Sequence, residues 1–172
     1  LKENKISKEK LIEFWDWLLE KEFESKTYSG FGFWVNPNKE VISDEDIITL
    51  VSFVSPKAIH LGISVSNDKS TDFHIEMIGK FLKLYPNIYV QVMGIREIGE
   101  QGESFDESSL KRVTDIKKSL MDLNIQIDGG INRDTAKLAQ LAGVDTVVVG
   151  SYIFNSPDIN TAFLSLNKSL FV

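Results

Sequence analysis

The stretch Ile127-Asp128-Gly129-Gly130-Ile131-Asn132, together with Val147-Val148-Val149-Gly150-Ser151, decides how this chain folds. Each stretch is an apolar, strand-like segment that runs straight into glycine, and each is followed by a helical pattern, at residues 134–141 and 158–166. A strand–glycine–helix junction can leave backbone N–H groups uncovered at the positive end of a helix dipole, which suits a phosphate group. Asp128 ends its strand, so we expect its carboxylate to point at whatever these amides hold. The pair of junctions predicts acid–base chemistry on a phosphorylated small molecule.

Strand and helix patterns alternate along the rest of the chain. Strands are predicted at residues 31–35, 58–65, 88–95, 125–131 and 146–153. Further helices are predicted at residues 7–23, 72–84 and 106–123, and a capped helix start is predicted at residues 43–46. Such alternation predicts a parallel sheet built from right-handed βαβ units. A (β/α)₈ barrel and an open doubly wound sheet both fit, and a length of 172 residues mildly favours the open sheet because barrels usually need about 200 residues or more.

The composition is that of a globular protein, with 42% hydrophobic and 26% charged residues. A net charge of −6 without a basic stripe argues against nucleic acid as the main partner. The sequence has no apolar run long enough for a membrane span and no signal-peptide pattern at its start, so we expect neither a membrane partner nor secretion. The chain has no cysteine, which excludes disulfides and cysteine-based zinc sites and fits a cytoplasmic protein.

The two junctions belong to a longer ordered pattern. Asp128-Gly129-Gly130-Ile131-Asn132, then Ala142-Gly143-Val144-Asp145, then Val149-Gly150-Ser151-Tyr152-Ile153-Phe154 resemble the end of the ribulose-phosphate 3-epimerase family. Upstream, Val92-Met93-Gly94-Ile95 and Gly102-Glu103-Ser104-Phe105 are similar to the sixth strand of that family and its glycine-rich loop. The resemblance spans residues 88–172 and implies an α/β fold of the (β/α)₈ TIM-barrel type.

On this interpretation the whole chain, residues 1–172, is a single partial barrel domain. The five predicted strands correspond to strands four to eight of the barrel, and the helix at residues 7–23 corresponds to its third helix. The chain then enters the barrel after strand three, and we expect the first strands to lie upstream of Leu1.

The resemblance also implies an activity and a set of site residues. It implies a ketose-phosphate 3-epimerase that acts on ribulose 5-phosphate or a related hexulose phosphate. Asp128 matches an aspartate that both transfers a proton and binds a divalent metal ion, which could be Zn, Fe, Mn or Co. The substrate-binding positions that match are Met93, Gly102, Gly129, Gly130, Gly150 and Ser151.

Epimerisation at carbon 3 removes a proton from one face of the sugar and returns it to the other face. Two acid–base groups on opposite sides must therefore work together, and a metal ion stabilises the enediolate between the steps. The family sequence Asp-x-Met-Asp-Gly, which carries the partner aspartate, does not occur in this chain. One alternative is therefore a catalytically incomplete homologue that binds a sugar phosphate as a sensor or partner module. Another is a synthase or decarboxylase of a related barrel, which the Asp-Gly-Gly element disfavours.

Other residues have plainer interpretations. His60, inside a strand pattern, is expected to be a core histidine rather than a ligand, although His60-Leu61 also resembles the third strand of the family. His74 is expected to be solvated, and the loop at residues 96–104 could be a lid or an ordinary surface loop. A barrel lacking strands leaves open sheet edges, so we expect homo-oligomers. The candidate contact is the aromatic helix that carries Phe14, Trp15 and Trp17.

Overall fold

A computed structural model describes residues 32–35, 45, 48, 60–65, 67–96 and 104–170. The described strands are β1 (Gly32–Val35), β2 (His60–Val65), β3 (Ile88–Met93), β4 (Asn124–Asp128) and β5 (Thr146–Val148). The helices whose full bounds are described are α1 (Thr71–Leu84), α2 (Ser108–Ser119), α3 (Arg133–Ala142), α4 (Ser151–Phe154) and α5 (Ile159–Leu170). The alternation that the sequence predicts is therefore confirmed, and Glu45 and Ile48 are also helical, just where a helix start is predicted.

The five strands form one parallel sheet in the order β1-β2-β3-β4-β5, which is the order of the chain. A doubly wound sheet reverses its strand order at a switch point, whereas a TIM barrel adds each strand beside the previous one. The described strands contain no reversal, so the fold class is α/β of the TIM-barrel type. All five carboxyl ends lie at one edge, which is where barrels of this type place their active sites.

The two faces of the sheet differ because side chains alternate along each strand. In β4, Ile125 and Ile127 are buried, and Ile127 packs with Ala136 and Ala139 of α3 and Leu166 of α5. This face is the contact between the sheet and the helices. The opposite face of β4 carries Asn124, Gln126 and Asp128, which are exposed or only partly buried. The polar side chains of β4 therefore lie on the face that turns away from the helices.

Two described helices begin and end at the residues that helix chemistry favours. Ser70 precedes α1, and its side-chain oxygen accepts a hydrogen bond from Phe73 N–H at 3.2 Å. Gly143 ends α3 with φ of +100°, the left-handed conformation that glycine adopts without strain. These local signals explain why the helix boundaries follow the sequence closely.

A polar cluster holds the amino ends of β4 and β5 together, far from the carboxyl edge. The Asp145 carboxylate accepts hydrogen bonds from Ile125 N–H at 2.8 Å and from Lys117 Nζ at 2.7 Å. Lys117 Nζ also donates to the Leu123 carbonyl at 2.8 Å. These contacts join α2 to the starts of both strands, and they give Asp145 a structural role.

Gly79 lies inside α1, and a Cβ placed on it meets no atom within 4 Å. Gly79→Ala is expected to raise the free energy of unfolding by about 0.5–1 kcal/mol, because glycine costs about that much inside a helix. Urea unfolding of the two proteins measures the difference. A lower midpoint for the alanine variant would contradict the open surroundings of this position.

Several predictions lie outside the described residues, namely the helix at residues 7–23, its aromatic contact surface, Gly102 and most of the loop at residues 96–104. The predicted homo-oligomer therefore stays a prediction. Within the described part of the chain, none of the helices is both long and apolar enough to cross a bilayer.

Candidate active site

Asp128 is the last residue of β4 and lies at the carboxyl edge of the sheet. Its carboxylate accepts hydrogen bonds from Gly129 N–H and from Gln91 Nε2, the latter at 3.3 Å from Oδ2. Its backbone carbonyl accepts a hydrogen bond from Gly94 N–H at 2.7 Å, which ties the end of β4 to the end of β3. The carboxylate thus lies beside the glycine turn, where the sequence places it, while its chemical role stays a prediction.

The surroundings of Asp128 make its charged form less favourable than it is in water. Burial raises the pKa of Asp128 above its ordinary value, and the hydrogen bond from Gly129 N–H only partly opposes this by lowering it. A raised pKa moves a carboxyl group toward working pH, which favours its use as an acid–base group. The environment is therefore the kind that an acid–base residue requires.

The Gly129–Gly130 turn needs glycine for reasons of conformation and space. The two residues have φ of +105° and +65°, in the region that side chains disfavour. A Cβ on Gly130 would lie 2.6 Å from Phe105 Cα, and one on Gly129 would lie 2.8 Å from Ile95 Cγ2. The turn is consequently packed against the segment that follows β3, and this packing fixes the backbone directly after Asp128.

The start of α3 differs from the sequence prediction of uncovered amides. The Asn132 side chain accepts hydrogen bonds from Asp134 N–H at 2.9 Å and Thr135 N–H at 3.1 Å. In return, Asn132 N–H donates to Thr135 Oγ1 at 2.8 Å. This capping box occupies the second and third amides of the helix, so the prediction of uncovered amides was wrong for Asp134 and Thr135. Whether Gly129 and Gly130 bind substrate stays a prediction.

The second junction is more open. Gly150 is the N-cap of α4, no side chain caps this helix, and a Cβ on Gly150 would meet no atom within 4 Å. Gly150 and Ser151 are both exposed. The N–H groups of Ile153 and Phe154 donate to the Gly150 carbonyl at 3.0 and 3.1 Å, whereas no side chain caps the start of the helix. The strand predicted at residues 146–153 is too long: β5 ends at Val148, and Ser151–Phe154 is helical, because Gly150 breaks the extended pattern.

Met93 lies beside Asp128, as a residue lining the same site should. It is the register partner of Asp128 across β3 and β4 and is buried, with 7% of its surface exposed. Its sulfur lies 3.6 Å from Gln91 Nε2, which also donates to the Asp128 carboxylate. Met93 and Asp128 therefore share this nitrogen as a hydrogen-bond donor. The structure therefore brings Met93, Asp128 and Gly129 together at one edge. Gly102 and the side chain of His60 lie outside the described residues.

The prediction of a solvated His74 was wrong. The residue is fully buried in the first turn of α1, where its Nδ1 lies 3.0 Å from the Ser70 carbonyl oxygen. Burial lowers the pKa of His74, while the hydrogen bond to Ser70 raises it. The signal was present in the sequence, because His74 shares its helix face with the buried residues Met77, Ile78 and Phe81. The side chain therefore belongs to the buried packing face of α1.

Sequence reasoning also missed Gln91 and Gln126, which lie directly below Asp128. They are register partners on β3 and β4, and the Gln126 side-chain amide donates to Gln91 Oε1. Their positions alternate with buried valine and isoleucine, which marks them as residues of the polar face. Only the pairing of the two strands shows that they meet.

A different cleft, of about 610 Å³, lies at the amino ends of β3 and β4. It contains no predicted site residue; its lining includes Tyr85, Asn87, Tyr89, Leu120, Met121 and Asp122. Catalytic groups of TIM barrels lie at the carboxyl ends of the strands, so we place the candidate site at Asp128 and not in this cleft.

The described residues contain no group of three His, Cys, Asp or Glu side chains that could hold a metal ion. Asp128 is thus the one predicted metal ligand that the described part of the chain supplies at the carboxyl edge. The expected divalent metal stays a prediction.

The raised pKa of Asp128 has a consequence for stability. When the folded pKa exceeds the unfolded one, the folded state binds the proton more tightly, so stability falls as pH rises from the unfolded to the folded pKa. Asp128→Asn removes this penalty, so the variant is expected to unfold at higher temperature than the wild type at pH 7. The difference should shrink as pH falls through the folded pKa. Thermal unfolding across a pH series measures it, and an equal gap at every pH would contradict the buried carboxylate.

Comparison with known proteins agrees with the fold. Residues 49–154 match the model of the ribulose-phosphate 3 epimerase family. The chain is 27% identical over 122 residues to ribulose-phosphate 3-epimerase of Chlamydia trachomatis, covering 67% of this chain and 49% of that protein. It is 26% identical over 142 residues to the cytoplasmic isoform of ribulose-phosphate 3-epimerase of Oryza sativa, covering 83% of this chain and 58% of that protein.

Solved structures support the architecture alone. The structure of 3-hexulose-6-phosphate synthase from Salmonella typhimurium matches with a TM-score of 0.62 and 15% identity, covering 90% of this chain and 66% of that one. The chain spans about half the length of the curated relatives it matches. Since the family model covers well over half of the chain and includes the whole Asp128 turn, the chain belongs to the ribulose-phosphate 3-epimerase family.

Proposed function

We propose that this chain acts as a ketose-phosphate 3-epimerase on ribulose 5-phosphate or a related hexulose phosphate. The observation that carries the proposal is the position of Asp128. It is the only acidic residue on the five described strands, it ends β4 at the carboxyl edge, and burial raises its pKa. Membership of the family supports the same reaction class.

In the proposed reaction, Asp128 exchanges a proton with carbon 3 on one face of the sugar. Return of a proton to the other face inverts the carbon, and this step needs a second acid–base group. The described strands offer no second carboxylate, so the proposal places that group outside the described residues. Asp128 would also help to hold a divalent metal (Zn, Fe, Mn or Co), which when bound supplies positive charge to an enediolate. The described residues do not form a metal site by themselves, and the proton exchange by Asp128 is proposed without a role for the ion.

The proposal assigns substrate contacts to the residues around Asp128. The backbone at Gly150 and Ser151 suits the phosphate group, because both residues are exposed and no side chain caps the start of α4. Gly129 and Gly130 would contribute backbone contacts beside the carboxylate. Met93 would line the pocket, and Gly102 would approach the substrate from the loop that follows β3.

A cytoplasmic location and self-association complete the proposal. The chain contains no cysteine, and the matching Oryza sativa protein is named a cytoplasmic isoform. Self-association would cover the edges that a partial barrel leaves open.

Proton NMR in deuterated water tests the activity directly. Ribulose 5-phosphate incubated with the protein is expected to lose its carbon 3 proton signal and to form the epimer at that carbon. The matched control is the same incubation without protein, which measures spontaneous exchange. Exchange no faster than in this control would contradict epimerase activity of the chain.

The second candidate is a homologue that binds a sugar phosphate without converting it. The observation in its favour is that the described strands carry a single carboxylate, whereas two-faced proton transfer needs two groups. Isothermal titration calorimetry separates the two candidates. Saturable binding of ribulose 5-phosphate without carbon 3 exchange would select the binding homologue.

A further inference from the structure

A row of polar side-chain positions crosses the sheet directly below Asp128. Ser64 of β2 pairs in register with Gln91 of β3, Gln91 pairs with Gln126 of β4, and Gln126 pairs with Thr146 of β5. The next row toward the carboxyl edge contains Met93 and Asp128. The row is therefore one layer beneath the candidate acid–base residue, on the same face of the sheet.

Two of these side chains are joined to Asp128 by hydrogen bonds that run in one direction. The Gln126 side-chain amide donates to Gln91 Oε1, and Gln91 Nε2 donates to Asp128 Oδ2 at 3.3 Å. The Met93 sulfur accepts from the same Gln91 nitrogen at 3.6 Å. The side-chain nitrogen of Gln91 thus donates to Met93 and Asp128 in the next row, while its oxygen accepts from Gln126.

The contacts also fix which way the Gln91 amide points. A flipped amide would turn its oxygen toward the Asp128 carboxylate and its nitrogen toward the donor of Gln126, and both contacts would be repulsive. The ionised carboxylate of Asp128 can only accept, so it favours the Gln91 orientation that presents Nε2, and the hydrogen bond from Gln126 to Gln91 Oε1 adds to this preference. All three side chains are partly buried, so these hydrogen bonds are less weakened by water than surface contacts.

We propose that Gln91 is a positioning residue for Asp128 and that Gln126 acts through Gln91 by holding its amide in the donating orientation. The Gly129 N–H holds the carboxylate from the turn above, and Gln91 holds it from the strand layer below. Two donors from different directions restrict rotation of the carboxylate, which proton transfer to a defined carbon requires. The consequence for turnover rests on the proposed function, whereas the chain of contacts does not.

Turnover measurements give the first test. Gln91→Leu keeps the size of the side chain and removes its amide, so kcat for carbon 3 exchange is expected to fall about tenfold with KM unchanged. Gln126→Leu is expected to cause a smaller loss of kcat, about threefold. In this variant Gln91 still donates to Asp128, but the Gln91 amide has lost the hydrogen bond that holds it. Gln140→Leu is the control: this exposed amide on α3 donates to the Leu170 carbonyl at 2.7 Å, and exchange should stay at the wild-type rate. Wild-type kcat in Gln91→Leu would overturn the positioning role.

A second test does not depend on turnover or on the Gln91 variant folding. In the ¹H–¹⁵N spectrum, the side-chain amide signals of Gln91 are expected to move in Asp128→Asn and in Gln126→Leu, while those of Gln140 stay in place. Gln91 signals that ignore both substitutions would overturn the inference. If the wild-type protein shows no carbon 3 exchange, the proposed function fails, and the amide signals alone decide whether this contact chain exists.

Discussion

Asp128→Asn is expected to slow carbon 3 exchange of ribulose 5-phosphate about a thousandfold, since general acid–base groups contribute about 10²–10⁴-fold. Asparagine has nearly the same shape as aspartate and can still occupy the place between Gly129 N–H and Gln91 Nε2. It cannot take a proton from carbon and return it. Loss of exchange in a variant that stays folded would therefore identify chemistry rather than structure. Deuterium incorporation followed by proton NMR measures both proteins under the same conditions.

The matched control is Asp134→Asn, which makes the same change six residues further along the chain. Asp134 is exposed in the first turn of α3, where its carboxylate has only a weak favourable effect on the helix. Exchange by this variant is expected to equal that of the wild type. If Asp128→Asn retained as much activity as Asp134→Asn, Asp128 would have no part in proton transfer.

Gly130→Ala is expected to lower the free energy of unfolding by about 3 kcal/mol. The residue has φ of +65°, which disfavours any side chain, and the new Cβ would lie 2.6 Å from Phe105 Cα and 2.7 Å from Phe105 N. Those contacts involve backbone atoms, so no side-chain rotation can relieve them. Either the turn after Asp128 or the segment around Phe105 must move. Urea unfolding measures the loss.

Gly79→Ala serves as the comparison, since the identical substitution at an open helical position is expected to stabilise the protein. Opposite signs at the two glycines would show that the effect comes from the packing of the Asp128 turn. Equal effects at both positions would contradict the close approach of Gly130 to Phe105.

Much of the fold was predictable because its signals are local. Apolar runs that end in glycine located the ends of β4 and β5, and apolar residues at helical spacing located the helices between the strands. Asp128 could be placed at the carboxyl edge because the last residue of a strand lies at the carboxyl end of that strand. The barrel itself needed the family pattern, since length alone favoured an open sheet.

Other features depend on contacts between distant residues, which one sequence does not encode visibly. Gln91 and Gln126 meet only because β3 and β4 pair in a particular register, and a shift of one residue would bury both. Asn132 could have been recognised as a cap from Thr135 three residues later, and His74 from its place on the buried face of α1. Both signals were local. The glycine junction nevertheless suggested uncovered amides at the start of α3, and the loop before α1 suggested a solvated His74.

The position of the site can be tested by titrating ¹⁵N-labelled protein with ribulose 5-phosphate and following the backbone amides. We expect the largest chemical-shift changes at the carboxyl edge, at Gly129, Gly130, Gly150 and Ser151. Changes confined to the cleft at the amino ends of β3 and β4, around Tyr85 and Asp122, would contradict this expectation, as would a spectrum that the sugar phosphate leaves unchanged.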